Sequence, residues 1–216
     1  MISKNLQKRL ITSIVLITII FLFAFFDFLL VYGLIVLGVI SILEFFNLME
    51  KNSFQKFFKI LFNTIFIIYI LFFCTLFIFF LNFLQLKILI FIFIFVCAAS
   101  DIGGFIFGKI FKGPKLTKIS PKKTISGAFG SIIFSNLTML VFVFYFINSF
   151  DYFFIIIGTI TSIACQLGDL FFSYLKRGAK IKDTSNLLPG HGGILDRIDS
   201  ILLGVPIGFC SLILFY

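Results

Sequence analysis

The sequence predicts an all-α, polytopic integral membrane helical bundle of about seven transmembrane helices. Three observations carry that prediction. Mean hydropathy is +1.19. Only 12% of the 216 residues are charged while 61% are hydrophobic, more apolar surface than a soluble domain can hide. Apolar runs of near-spanning length alternate with short charged loops, and the cations of those loops fall on one side.

A spanning helix needs about 20 mostly apolar residues. Seven runs approach that: 10–26, 28–46, 60–82, 87–108, 127–148, 152–172 and 199–216. Lys4, Lys8 and Arg9 precede the first, as in a signal peptide. That run lacks a small-residue cleavage site, so it reads as an uncleaved span. A very short turn at Asp27 joins it to the second run as a hairpin. The third run carries polar residues at which it could bend or split. The chain therefore divides into an N-terminal membrane hairpin and cytoplasmic loop, 1–59, and a membrane-embedded catalytic region, 60–216, with polar loops 109–126 and 173–198.

Charge sets the orientation. With the N-terminus inside, segments 1–9, 47–59, 109–126 and 173–198 are cytoplasmic and hold 17 of the 18 Lys and Arg; Lys87 alone lies opposite. Both large polar loops then face the cytoplasm and can contribute to one site. The net charge of +9 is a product of this asymmetry and does not indicate nucleic acid. Cys74, Cys97, Cys165 and Cys210 lie inside apolar runs without paired spacing, so neither disulfides nor zinc are indicated.

The segment Ser173–Asp199 concentrates charge, glycine and the only histidine. Lys176, Arg177, Lys180, Lys182 and Arg197 suit phosphate oxygens. Asp183, Asp196 and Asp199 lie among them, and carboxylates beside phosphates suit magnesium. Pro189, Gly190, Gly192 and Gly193 mark a tight turn where backbone can approach a ligand. Asp196 and Asp199 are three apart and share a helix face, where a bound cation would relieve their repulsion. The plainer reading makes Asp196 a helix cap salt-bridged to Arg197. Asp169 and Ser173 are four apart on one face. Asp169 is either functional or an interfacial carboxylate paired with Lys176 or Arg177. Asp101 lies inside an apolar run, where a carboxylate is expensive unless functional or paired. Ser120, Pro121, Lys122, Lys123 and Thr124 open a turn before a helix start, a place that favours anions. The other loop lysines, Lys109, Lys112, Lys115 and Lys118, read as topology charges.

The pattern S-x-x-K-R-x-x-x-x-K-D followed by P-G-H-G-G-x-x-D-R-x-D resembles the signature of the phosphatidate cytidylyltransferase (CDP-diacylglycerol synthase) family. The matching residues are Ser173, Lys176, Arg177, Lys182, Asp183, Pro189, His191, Gly192, Gly193, Asp196, Arg197 and Asp199. The stretches S-D-x-G-x-x-x-G from Ser100 and S-P-K-K-T-x-x-G from Ser120 resemble two further blocks, and the family has a G-D at Gly168-Asp169. The likeness is specific from about Ser100 to Asp199, and Glu44-Phe45 and the N-terminal K-R-L-I-T are also similar. Ser126 stands where the family usually has Glu or Gln.

The resemblance implies transfer of a cytidylyl group from CTP to phosphatidate, giving CDP-diacylglycerol and pyrophosphate, at a bacterial inner membrane with the site facing the cytoplasm. Its implied partners are CTP, phosphatidate and the bilayer, with dimerisation left open. On this reading Asp169, Asp196 and Asp199 hold magnesium, with a second cation left open, and act in catalysis together with Lys182. Asp101, Ser120, Lys122, Lys123, Thr124, Ser173, Lys176, Arg177, Asp183, His191 and Arg197 bind substrate. Two other classes stay open at this point: an ion-coupled transporter using Asp101 and Asp169, and another CTP-dependent lipid enzyme such as a lipid kinase.

Overall fold

A computed structural model describes residues 25–147, 151–189 and 192–215, together with Val15, Thr18, Ile19 and 21–23. The first expected span, with Lys4, Lys8 and Arg9, lies mostly outside the described residues. So do Gly190 and His191. Six helices follow in order: α1 Asp27–Lys51, α2 Lys56–Leu81, α3 Leu84–Phe111, α4 Ile125–Ile147, α5 Phe153–Gly178 and α6 Leu195–Phe215. Each is long and apolar enough to cross a membrane.

Four helices differ from the apolar runs. The second run continues to Lys51, because the polar end N-L-M-E-K is still a good helix former. α2 is continuous, without the expected bend, and Thr64 and Thr75 donate back to Ile60 O and Phe72 O. α5 runs on to Gly178, so Ser173, Lys176 and Arg177 are helical rather than part of a loop. α6 begins at Leu195, which puts Asp196 and Asp199 on its first turns.

The described chain forms two compact bodies. The first is Met1–Leu84 with Leu175–Ile198, and the second is Gln85–Tyr174 with Asp199–Tyr216. The chain passes between them at 84/85, 174/175 and 198/199, so the segment 175–198 belongs to the body built on the N-terminal helices.

In the first body α1 packs on α2. A Cβ at Gly38 would stand 3.2 Å from Cys74 Sγ and Ile70, and the rings of Phe45 and Phe66 stack at 4.0 Å. Asn52, just past α1, donates to Leu175 O at 3.0 Å and so ties the end of α5 to this body.

The second body is held by small residues and buried polar links, the devices that join helices where lipid removes the hydrophobic drive. At the α3–α4 seam a Cβ on Gly103 would stand 2.5 Å from Gly130 O, and one on Gly127 2.8 Å from Gly104 O. Ser100 and Ser162 share a hydrogen bond of 2.9 Å between α3 and α5. Asn136 donates to Thr159 at 2.9 Å between α4 and α5. Phe93 of α3 meets Phe209 of α6 with ring centroids 4.9 Å apart.

Candidate functional site

Two clusters of polar groups emerge, one in each body.

In the second body, the turn before α4 is built as the sequence suggests. Lys123 N donates to Ser120 O at 3.0 Å, and Thr124 Oγ1 accepts Gly127 N at 3.1 Å, capping the first turn of α4. The base of the loop is closed by Ile125 N on Pro114 O at 3.0 Å. Ser126 takes part in this closure, accepting Gly113 N at 3.3 Å and lying 3.1 Å from Thr124 Oγ1. The smaller side chain at 126 is thus used locally. Lys123 Nζ pairs with Asp169 Oδ2 at 2.5 Å, and Asp169 Oδ1 accepts Ser173 Oγ at 3.3 Å. The partner of Asp169 is therefore Lys123, not Lys176 or Arg177. The reason is that both of those lie beyond the turn of α5 that carries Asp169, whereas the loop folds Lys123 onto it.

Ser200 connects two further aspartates. Its hydroxyl donates to Asp101 Oδ2 at 2.9 Å and its backbone N–H donates to Asp199 Oδ1 at 2.9 Å. Asp199 is buried, at 8% exposure, and Asp101 is exposed. Gly168 lies so close to Asp199 that a Cβ there would stand 2.6 Å from its carbonyl oxygen. Asp169 is the next residue along α5. The second body thus holds two linked groups, Lys123–Asp169–Ser173 from the loop and α5 and Asp101–Ser200–Asp199 from α3 and α6. Ser120 is half-buried and Lys122 exposed on the same loop.

In the first body, the cluster is centred on the segment between α5 and α6. Lys180 turns the chain out of α5 with φ of +56°, and Ile181 N returns to Lys176 O at 3.0 Å. Lys176 is nearly buried and pairs with Asp196 Oδ1 at 2.8 Å. Asp196 Oδ2 accepts Thr184 N at 2.8 Å, Thr184 Oγ1 at 3.0 Å and Gly193 N at 3.0 Å. Asp196 is thus paired with Lys176, twenty residues earlier, rather than with its neighbour Arg197. Leu188 N meets Gly192 O at 2.8 Å, closing the tight turn. Gly192 has φ of +80°, and a Cβ there would stand 2.9 Å from Asp196 Oδ2, so both conformation and space call for glycine. Arg177, Lys182, Asp183 and Arg197 are exposed, with Arg177 donating to Ile181 O at 3.2 Å.

The sequence reading assigns no role to Glu44. In the structure this α1 residue is 4% exposed and its carboxylate accepts four hydrogen bonds from the 184–195 segment. The signal was available. Glu44 is a carboxylate inside an apolar run, as Asp101 is, and such a group is rare unless paired or functional.

Among the described residues, no group of three or more His, Cys, Asp or Glu side chains is arranged to hold a metal ion. Magnesium bound to a nucleotide asks for less, usually one or two carboxylates with phosphate oxygens completing the shell. Asp169 and Asp199 carry hard oxygen donors of that kind; Asp169 already pairs with Lys123 and Ser173, and Asp199 accepts Ser200 N. Asp196 already carries four protein donors.

Residues 3–215 match the cytidylyltransferase family. The chain belongs to that family. It is 48% identical over 119 residues to the phosphatidate cytidylyltransferase of Rickettsia bellii (strain RML369-C), which covers 50% of this chain and 51% of that protein. The phosphatidate cytidylyltransferase of Rickettsia prowazekii (strain Madrid E) is 40% identical over 134 residues, 57% of this chain and 58% of that one. That of Staphylococcus haemolyticus (strain JCSC1435) is 42% identical over 110 residues, 50% and 42% of the two chains. The chain spans about half the length of these relatives in each match. Membership accounts for why the blocks around Ser100, Ser120 and Ser173 share one chain, and the second body shows how the first two of them meet α5 and α6.

Proposed function

We propose that this chain transfers a cytidylyl group from CTP to phosphatidate. The phosphate oxygen of phosphatidate attacks the α-phosphorus, the bond to the β-phosphate breaks, and CDP-diacylglycerol and pyrophosphate result. The observation that carries the reading is the second-body cluster. Lys123 folds onto Asp169 beside Ser173, and Ser200 links Asp101 to Asp199, whose backbone packs against Gly168, the neighbour of Asp169. Family membership supports the same chemistry.

The attacking phosphate is already ionised, so no strong general base is required. Positioning and charge neutralisation supply the rate. Asp169 and Asp199 would hold magnesium, which when bound neutralises charge on the triphosphate and the departing pyrophosphate. Lys123 sets positive charge beside Asp169, and the Ser120–Thr124 turn leads into the start of α4, whose dipole favours a phosphate. Arg177, Lys182 and Arg197, on the first body, are exposed cations of the kind that binds phosphate. Asp196 and Lys176, which satisfy one another, act as framework for the segment that carries Lys182. The bacterial relatives and the cytoplasmic supply of CTP support an inner-membrane location with both polar loops inside.

The test is CTP-dependent release of pyrophosphate from the purified full chain in phosphatidate-containing micelles, with the lipid product analysed. A CDP-lipid that disappears on chelation of divalent cations and returns with magnesium is expected. A phosphorylated lipid with CDP release would replace this reading by a lipid kinase, and turnover that survives exhaustive chelation would remove the metal from it.

A further inference from the structure

Glu44 makes an arrangement that neither the transfer chemistry nor simple membrane packing requires. Its Oε1 accepts Ser185 Oγ at 2.6 Å and Ile194 N at 3.1 Å, and its Oε2 accepts Thr184 Oγ1 at 2.9 Å and Leu195 N at 2.8 Å. The donors come from the two ends of one segment. Thr184 and Ser185 open it, and Ile194 and Leu195 close it at the first turn of α6. A single buried carboxylate therefore pins the base of the loop that carries N-L-L-P-G-H-G-G.

All four donors are neutral. A buried carboxylate is costly, and it is held here by hydroxyls and by helix-start N–H groups that would otherwise lack partners. Asp196 fastens the same base a second time, through Thr184 and Gly193. The Thr184 hydroxyl has one hydrogen yet lies 2.9 Å from Glu44 and 3.0 Å from Asp196, so it links the two carboxylates. A Cβ on Gly193 would come within 2.5 Å of Glu44 Oε2, so the backbone is drawn against the acid. Within the loop Asn186 and Leu187 are exposed, as are Lys182 and Asp183 just before it.

We infer that Glu44 is a positioning residue: it holds the 184–195 loop in the shape that receives the nucleotide, acting through Thr184, Ser185 and the first N–H groups of α6 and touching no substrate. The inference rests on the cytidylyl-transfer reading. Its chemistry is specific to a carboxylate. Each oxygen takes one backbone N–H, so the amide of Gln, turned either way, must point an NH₂ at a backbone N–H that cannot accept.

The experiment uses the full chain with Cys74 and Cys210 replaced, a nitroxide placed at Leu187→Cys, and a control nitroxide at Lys118→Cys in the other polar loop. Glu44→Gln should sharpen the spectrum at 187, leave that at 118 unchanged, and raise KM for CTP by about tenfold or more, the scale of misplaced binding groups. Glu44→Asp, which keeps both acceptors on a shorter stem, should fall between Gln and parent. An unchanged KM with fewer active molecules means that Glu44 only supports folding, and overturns the inference. Sharpening at both positions overturns it in the same way. If Glu44→Gln does not insert, Ser185→Ala removes one donor alone and must show the same contrast in smaller measure; no contrast refutes the clamp. A parent chain without CTP turnover would overturn the proposed function, and the contrast between 187 and 118 would then decide the clamp by itself.

Discussion

Asp196 and Asp199 stand three residues apart on α6 with different partners, and asparagine at each should separate stability from turnover. Asp196 and its partner Lys176 have side chains 7% and 11% exposed. Asparagine can keep an oxygen toward Thr184 N and Gly193 N, but its amide then faces the Lys176 ammonium across 2.8 Å. Removing one partner of a buried pair typically costs about 3–5 kcal/mol. We expect Asp196→Asn to lose stability on that order. Lys176→Met made in the same background should recover part of the loss, because the stranded ammonium is gone. Asp199→Asn keeps an oxygen for Ser200 N, so it should lose less stability than Asp196→Asn. Its turnover should fall about 10²–10³-fold, the usual effect of removing one preorganised electrostatic contact. Lys115→Ala, outside both clusters, should leave turnover within about threefold. Stability is read by reversible unfolding of purified protein in micelles of rising SDS fraction, followed by helicity. Turnover is read as pyrophosphate released per folded molecule. Asp196→Asn as stable as the parent, or Asp199→Asn as fast, would refute the division of roles. Additive effects of Asp196→Asn and Lys176→Met would refute the pairing.

Three further outcomes follow from particular residues. Cysteines placed at Lys115 and Lys180 in a cysteine-free background should react with an impermeant reagent only from the cytoplasmic side, and labelling of either from outside would break the assigned topology. Gly103→Val should destabilise the chain by at least about 1–3 kcal/mol, because its Cβ meets backbone at Gly130 O rather than a movable side chain, and a stable, active variant would show that α3 and α4 do not approach this closely. Lys180→Gly relieves a left-handed residue at the end of α5 and should stabilise by about 1 kcal/mol or less in the same SDS titration; destabilisation would mean that φ of +56° is not the conformation there.

Hydropathy and charge alone were enough for the membrane class, the helical class and the approximate place of every described span, because a helix in lipid must satisfy its own backbone and so announces itself by length. The chemistry-bearing blocks were also visible, since Lys, Asp and Gly stand out against a chain with 36 Phe. Pairings were not visible. Lys176 or Arg177 was the expected partner of Asp169, and only the fold of the 112–124 loop brings Lys123 to it. Asp196 looked like a partner for Arg197 or a metal ligand beside Asp199. In the fold it pairs with Lys176 near the end of α5 and accepts Thr184 N from the loop that follows. Glu44 was the plainest omission. Its four donors are about 140–150 residues away in sequence, and no local pattern records a contact made across that distance. Spans are written in local composition. Which charge satisfies which depends on where distant segments are brought together, and that was decided by the tertiary structure.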